Sequence, residues 1–155
     1  MKKIIIVAAL VLGFAAAAAA QPRAIGLRGA EISYQHSIDK NFIEVDGGVG
    51  FGYGTDVNMT VGATAVYNFM IAQPQWTDRG EWGFYAGPGA NVGLGMGSEG
   101  NNFFNVSAAG AVGIEYTFWF PLQLSFDFRQ HLGLGFGGYG FYSLSSACLG
   151  IRYRF

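Results

Sequence analysis

The residues of this chain that could do chemistry are charged side chains at every second position of apolar segments. Asp127 and Arg129, for example, alternate with Phe126 and Phe128. Because successive side chains of a strand point to opposite faces, this alternation puts the charges on one face of a sheet. The charged face collects Glu31, Glu44, Asp46, Glu115, Asp127, Arg129, Arg152 and Arg154. An enclosed charge must be paired, so the pattern predicts a structural network of salt bridges that fills an interior. A switchable network that opens a small pore is the alternative.

Two histidines are the other candidates for chemistry. His131 falls on the charged face, four residues from Asp127 and so about 13 Å from it along a strand. His36 falls on the apolar face near the opposite end, so the two do not share a site. No cluster of metal ligands is present in the sequence, and we expect no cofactor, no metal and no catalytic residue. The glycine-rich string at 133–138 is followed by no helical pattern, which favours a loop over a dinucleotide site.

The elements that carry these residues are strands, since alternation with period two recurs along the chain. It covers 41–52, 57–71, 82–96, 104–118, 122–131 and 147–155, with turns at 37–41, 51–56, 73–80, 97–102, 119–121 and 133–140. The six turns divide the chain after residue 21 into seven strands, of which the first lies before residue 37. A closed antiparallel sheet with both ends on one side needs an even number of strands. The alternation changes phase between Leu27 and Ile32, which predicts a hairpin at 28–30 that separates strands 22–28 and 30–38. A β-bulge inside one long strand is the alternative. We expect the first and last strands to pair in a weak seam.

The composition indicates which face is outside. Charged residues make up 12% of the chain, and Lys40 is the only lysine after residue 20. The apolar face carries aromatic residues near strand ends, such as Trp82 and Tyr116, as membrane-interface girdles do. The pattern therefore predicts an all-β protein, an eight-stranded antiparallel up-and-down transmembrane β-barrel with its apolar face toward lipid. A water-soluble sandwich or lipocalin, with the apolar face inside, is the alternative. Seven basic residues against ten acidic ones after residue 20 do not favour nucleic acid as a partner.

The first 20 residues are typical of a secretory signal peptide. Lys2 and Lys3 precede an apolar run that ends in alanines, and small residues at Ala18 and Ala20 suit cleavage after Ala20. We expect 1–20 to be the signal peptide and 21–155 one exported domain. An uncleaved anchor helix is the alternative. Cys148 is the single cysteine, so no internal disulfide is expected, and we expect it to be a small buried residue.

The C-terminal segment resembles the signal that bacterial outer-membrane barrels present to their assembly machinery. Apolar residues alternate there and end in Phe, as Leu149, Ile151, Tyr153 and Phe155. With 30–36 and 121–129, the chain resembles the small OmpX/OmpA-like outer-membrane barrels of Bacteroidota-type bacteria. The resemblance implies a monomer in the Gram-negative outer membrane, with outer-membrane lipid and the assembly machinery as partners. In a barrel of this kind the short connections face the periplasm, so we expect periplasmic turns at 37–41 and 119–121, and glycine-rich extracellular loops at 51–56, 97–102 and 133–140.

The resemblance says less about activity, and the long loops of adhesive relatives are missing. We therefore expect a structural or minor ligand-binding role in the cell envelope. A narrow pore or transport component is the first alternative. A lipid-modifying enzyme, which would need a histidine with a serine and an acid, is the second.

Overall fold

The computed structural model describes residues 22–52, 58–96, 102–136 and 140–155, and the predicted signal peptide lies outside them. In this part the chain forms eight strands and no helix. The strands are β1 (Pro22–Arg28), β2 (Glu31–Ile38), β3 (Asn41–Gly52), β4 (Asn58–Ala72), β5 (Glu81–Met96), β6 (Asn102–Thr117), β7 (Leu122–Phe136) and β8 (Gly140–Arg154). Within the described residues, no helix has the length and apolar character needed to cross a membrane.

The sheet is a closed ring in which each strand pairs antiparallel with the next and β1 also pairs with β8. The predicted hairpin between the first two strands is confirmed: Gly29 has a φ of 56°, which suits a tight turn. The alternative of one long bulged strand is wrong. A bulge is present, but it lies near the start of β1, between Pro22 and Ala24. The expected pairing of the first and last strands is confirmed, and it runs from Ala24–Arg154 to Arg28–Gly150.

The described turns at 39–40, 73–80 and 118–121 lie within two residues of the predicted ones, whereas the last predicted loop is partly wrong. The predicted loop at 133–140 is wrong over 133–136, which belong to β7, and at Gly140, which begins β8; residues 133–135 pair with β8. Gly133 reads as a loop residue in the sequence, but it is there for packing: a Cβ at this position would collide with the backbone of Val106 and Ser107 on β6. Residues 53–56, 97–101 and 137–139 of the three predicted extracellular loops lie outside the described residues, as does residue 57 of the next predicted strand.

The two faces of the ring differ in polarity as the alternation predicts. On the outer face Val106 and Val112 are 40% and 53% exposed. On the inner face Glu115, Asp127 and Arg152 are 3%, 0% and 1% exposed. A water-soluble barrel would bury the valines and expose the charges. The core of this chain is therefore polar, and its apolar side chains cover the outer surface.

The wall of the ring is uneven, because β1 and β2 are about half as long as β4 to β8. Above the β1–β2 hairpin, β8 continues from Leu149 up to Gly140, while its pairing with β1 stops at Gly150. On the other side β3 continues to Gly52, while its pairing with β2 stops at Gly47. We call the space between these two edges the gap. It spans three inter-strand steps of the ring, or about 14 Å.

Candidate functional site: the charged interior

The centre of the interior is Arg129, which β7 points toward the opposite side of the ring. Its two terminal nitrogens donate to Glu44 and Asp46, which β3 holds two residues apart on its inner face. Its Nε lies 3.3 Å from Oδ1 of Asp127. All four groups are at most 1% exposed. One guanidinium therefore joins opposite walls of the ring through charge-assisted bonds, which are the stronger class of hydrogen bond.

Arg152 of β8 extends the network around the ring. It donates to Glu44 at 2.9 Å, to Ser33 of β2 at 2.9 Å and to Ser125 of β7 at 2.6 Å. Gly150, two residues earlier on the same face, leaves room for this guanidinium, because a Cβ there would collide with it. Gln35 of β2 donates a further bond to Glu44 at 2.7 Å. Glu44 is thus held by two arginines and an amide.

Arg28 closes the network at the β1–β2 hairpin. It donates to Asp127 through two nitrogens, at 2.8 and 2.5 Å, and to Glu31 at 3.0 Å. Arg28 is buried, whereas the side chain of Glu31 is 37% exposed. Above this point the interior widens into the cavity described below.

Arg23 fills the interior at the other end of the ring. It forms a two-point ion pair with Glu115 of β6, donates to Gln35 at 2.7 Å and lies 4.0 Å from the ring centre of Phe42. Gln123 also donates to Glu115, at 2.8 Å. Here a cation–π contact and hydrogen bonds compensate the desolvation of the guanidinium.

The buried charges of the described residues balance. Four arginines face four carboxylates: Arg23, Arg28, Arg129 and Arg152 against Glu44, Asp46, Glu115 and Asp127. The assembly is formally neutral, which is the condition under which buried ions are tolerated. Its members come from β1, β3, β6, β7 and β8, so it ties most of the wall together.

The structure brings together most, but not all, of the residues that the sequence suggested. Glu44, Asp46, Glu115, Asp127, Arg129 and Arg152 are buried, whereas Glu31 and Arg154 are half-buried. Arg154 was expected to meet a carboxylate, but it donates to the hydroxyl of Thr117 at 3.0 Å. Arg23 and Arg28 were missed. Arg28 follows the alternation of β1 and could have been found. Arg23 could not, because the bulge at Pro22 shifts it out of phase.

The histidines do not form a shared site. His131 faces the interior, and its Nδ1 lies 3.5 Å from the hydroxyl of Ser107. In a Ser–His–Asp triad a carboxylate orients the histidine, and Asp127, the carboxylate four residues away on the same face, is engaged by Arg28 and Arg129. His36 lies on β2, paired with Ile43 toward the other end of the ring. Among the described residues no group of three or more His, Cys, Asp and Glu side chains could hold a metal ion.

Above Arg28 lies a cavity of about 560 Å³. Hydrogen-bonding side chains on its wall include Thr60, Thr64, Asn91, Asn105, His131, Tyr142 and Ser146. Glycines from four strands, among them Gly48, Gly62, Gly93 and Gly135, leave the space open. Cys148, expected to be buried, is only half-buried and lines this cavity. Below it, Phe42, Met70 and Tyr85 form a small apolar cluster, and Gly113 makes room for the ring of Tyr85.

The residues predicted to form a C-terminal assembly signal lie together on the outer surface. Leu149, Ile151, Tyr153 and Phe155 are all more than half exposed. The rings of Tyr153 and Phe155 meet edge to face at 5.4 Å. They form a continuous apolar stripe along β8, next to the seam with β1.

No protein-family model, curated protein or solved structure matches this chain.

Proposed function

We propose that this chain is an integral protein of the bacterial outer membrane, with a structural or minor ligand-binding role in the envelope and no catalytic activity. The observation that carries the proposal is the inverted polarity of the ring. Large apolar side chains on all sides are 40–73% exposed. Soluble monomers rarely expose contiguous apolar patches larger than a few hundred Å². A hydrocarbon solvent resolves the mismatch, because it solvates the outer face and requires a closed sheet.

Aromatic side chains at one end of the ring support this placement. Trp76 packs against Trp82 at 5.7 Å, and Trp82 packs against Tyr116 at 4.8 Å. Trp119 lies in the neighbouring turn and is 70% exposed. Tryptophan and tyrosine are enriched where a membrane meets water. This end carries the turns at 39–40, 73–80 and 118–121 as well as the C-terminus, and we assign it to the periplasmic side.

The interior supports a structural role over a conducting one. An eight-stranded barrel has an interior just wide enough for side chains, and here the arginine–carboxylate network occupies it. Breaking any pair would strand a buried charge, which costs about 3–5 kcal/mol. We therefore expect no conductance steps above background when the protein is reconstituted in a planar bilayer. Steady steps of defined size would contradict the structural role and favour a pore.

Membrane insertion is tested by refolding the urea-unfolded chain, without residues 1–20, in the presence of phosphatidylcholine vesicles. We expect it to float with the vesicles in a density gradient. Unheated samples should run at a different mobility from boiled ones in a denaturing gel, as closed barrels resist unfolding by detergent. A chain that refolds to a monodisperse species in buffer without lipid or detergent would refute the proposal.

A further inference from the structure

The gap and the cavity are two parts of one space. The cavity lining includes Glu31 on the β1–β2 hairpin, Val49 on β3, and Leu144 and Cys148 on β8. These residues lie on the lower edge and the two sides of the gap. Other lining residues, such as Asn91 of β5 and Asn105 of β6, lie on strands across the ring from the gap. The cavity therefore opens sideways through the wall, between β3 and β8.

The opening itself is apolar. Val49 and Leu144, which flank it, are 46% and 58% exposed, and Leu149 at its foot is 73% exposed. Leu144 has the parity of an inward residue, yet it is exposed because none of the described strands covers it on that side. In a bilayer the opening lies between the aromatic end described above and Phe104, Phe136 and Phe141 at the other end, so it faces the acyl chains.

The wall of the cavity carries hydroxyl and amide groups among apolar side chains such as Phe103. The amide of Asn91 donates to Thr64 at 2.9 Å, and the hydroxyl of Tyr142 donates to Asn105 at 3.2 Å. Among the described residues of the wall, the formally charged groups are Arg28 and Glu31, which pair with each other at 3.0 Å. Hydroxyls and amides suit a ligand group that bears hydroxyls or a carbonyl. A phosphate would need a free cation, and Arg28 is already engaged by two carboxylates.

We propose that the gap admits a single-chain lipid from the bilayer, with its uncharged, hydroxyl-bearing head in the cavity and its acyl chain in the gap. The space is of the right order, since small-molecule sites range over about 300–1,000 Å³. The acyl chain would cover the apolar side chains that flank the gap. A hydroxyl of the head would donate a hydrogen bond to the half-exposed carboxylate of Glu31. This inference rests on the proposed membrane location and names the ligand class.

The test uses Cys148, the only cysteine of the chain, as a reporter inside the cavity. The full exported chain in phosphatidylcholine vesicles is alkylated with an uncharged maleimide, and the rate is followed by mass spectrometry. We expect monoacylglycerol to slow alkylation about tenfold at about ten times its Kd, as simple occupancy requires. Two control compounds should change the alkylation rate less than about twofold. Lysophosphatidylglycerol carries an anionic head, and free glycerol lacks an acyl chain.

Two substitutions separate the cavity from the outer wall. Ser146→Trp places a large ring in the cavity, because Ser146 lines it, and should abolish the protection. Ala108→Trp places the same ring on the outer face of β6, away from the gap, and should leave the protection intact. If Ser146→Trp fails to fold, Asn105→Leu takes its place in the test. This variant removes a hydrogen-bonding side chain of the cavity wall without filling the space, and it should weaken the protection. A monoacylglycerol with a photoreactive acyl chain should label β3 and β8 beside the gap.

The outcomes distinguish this inference from the proposal beneath it. Failure of the chain to float with vesicles would overturn both. Insertion without protection by monoacylglycerol, or equal protection by lysophosphatidylglycerol, would overturn the lipid site alone. Photolabel spread evenly around the eight strands would do the same, since it would show ordinary boundary lipid. Protection by an added peptide strand but by no lipid would show that the edges of β3 and β8 bind protein instead.

Discussion

Replacing Arg129 by methionine is the most direct perturbation of the interior. Methionine keeps much of the volume and removes the charge. In the described residues the balance of four buried arginines against four buried carboxylates becomes three against four. Glu44 retains Arg152, whereas Asp46 loses the only cation that bonds to it in the described structure. The substitution therefore isolates one buried carboxylate.

The expected cost follows from that isolation. Removing one partner of a buried ion pair destabilises a protein by about 3–5 kcal/mol, because the remaining charge stays desolvated. This is a large share of a typical stability of about 5–15 kcal/mol. Adding Asp46→Asn restores the charge balance, since it removes the stranded carboxylate. We expect the double variant to regain about 1–3 kcal/mol relative to Arg129→Met alone, because leaving a buried polar group without a partner costs about that much.

Urea unfolding in lipid vesicles measures both quantities. The three tryptophans report the transition by fluorescence, and the midpoints are compared at constant slope. Arg79→Met is the control, since Arg79 lies exposed in the turn at 73–80 and should change the free energy of unfolding by less than about 0.5 kcal/mol. If Arg129→Met is as stable as this control, or if Asp46→Asn adds a second loss instead of a recovery, the buried network does not hold the ring as we describe.

Three further predictions test other parts of the wall. Gly26→Ala should destabilise the ring by about 1–3 kcal/mol, because a Cβ there would collide with the backbone of Ile151 and Arg152. Gly110→Ala is the control, since a Cβ at Gly110 meets nothing within 4 Å. Equal urea midpoints for the two variants would contradict the close packing of β1 against β8. Arg152→Lys should lower the free energy of unfolding by about 1.5–3 kcal/mol through lost charged hydrogen bonds. Arg154→Lys should cost less, because in the described structure the side chain of Arg154 makes one hydrogen bond, to Thr117. Urea titration compares the two variants, and the reverse order would refute the central role of Arg152 in the network. Tryptophan fluorescence in vesicles should be quenched more by lipids brominated near the head group than near the chain terminus, and the opposite ranking would remove Trp76 and Trp119 from the interface.

The strands and their two faces could be predicted from the sequence because both depend on a local rule. A strand alternates its side chains whatever its neighbours are, so Val106 and Asp127 could be assigned to opposite faces without knowing the fold. The hairpin at Gly29 followed from the same rule, since the phase of the alternation changes there. Gly133 was misread because glycine serves both turns and close strand packing, and only the neighbouring strand decides between them.

The partners within the interior could not be predicted, because they depend on the whole ring. Arg129 meets Glu44 and Asp46 only because the register around eight strands brings β7 level with β3. A change of two residues in any register would give Arg129 another partner on the same face. Arg23 was hidden for a similar reason, since a one-residue bulge reverses the face that alternation assigns.

The pairing of β1 with β8 also has a consequence for the order of folding. In the described residues the other strand pairs join segments that follow one another along the chain, so each can form as a local hairpin. The seam instead joins residues 24–28 to 150–154, and bringing the two ends together carries the loop-closure entropy of the whole chain. We therefore expect the sheet to assemble as an open ribbon, with closure as its final step. Until closure, the facing edges of β1 and β8, which form the shortest ladder of the ring, stay unpaired. Both edges are then free to pair with a protein that assists assembly.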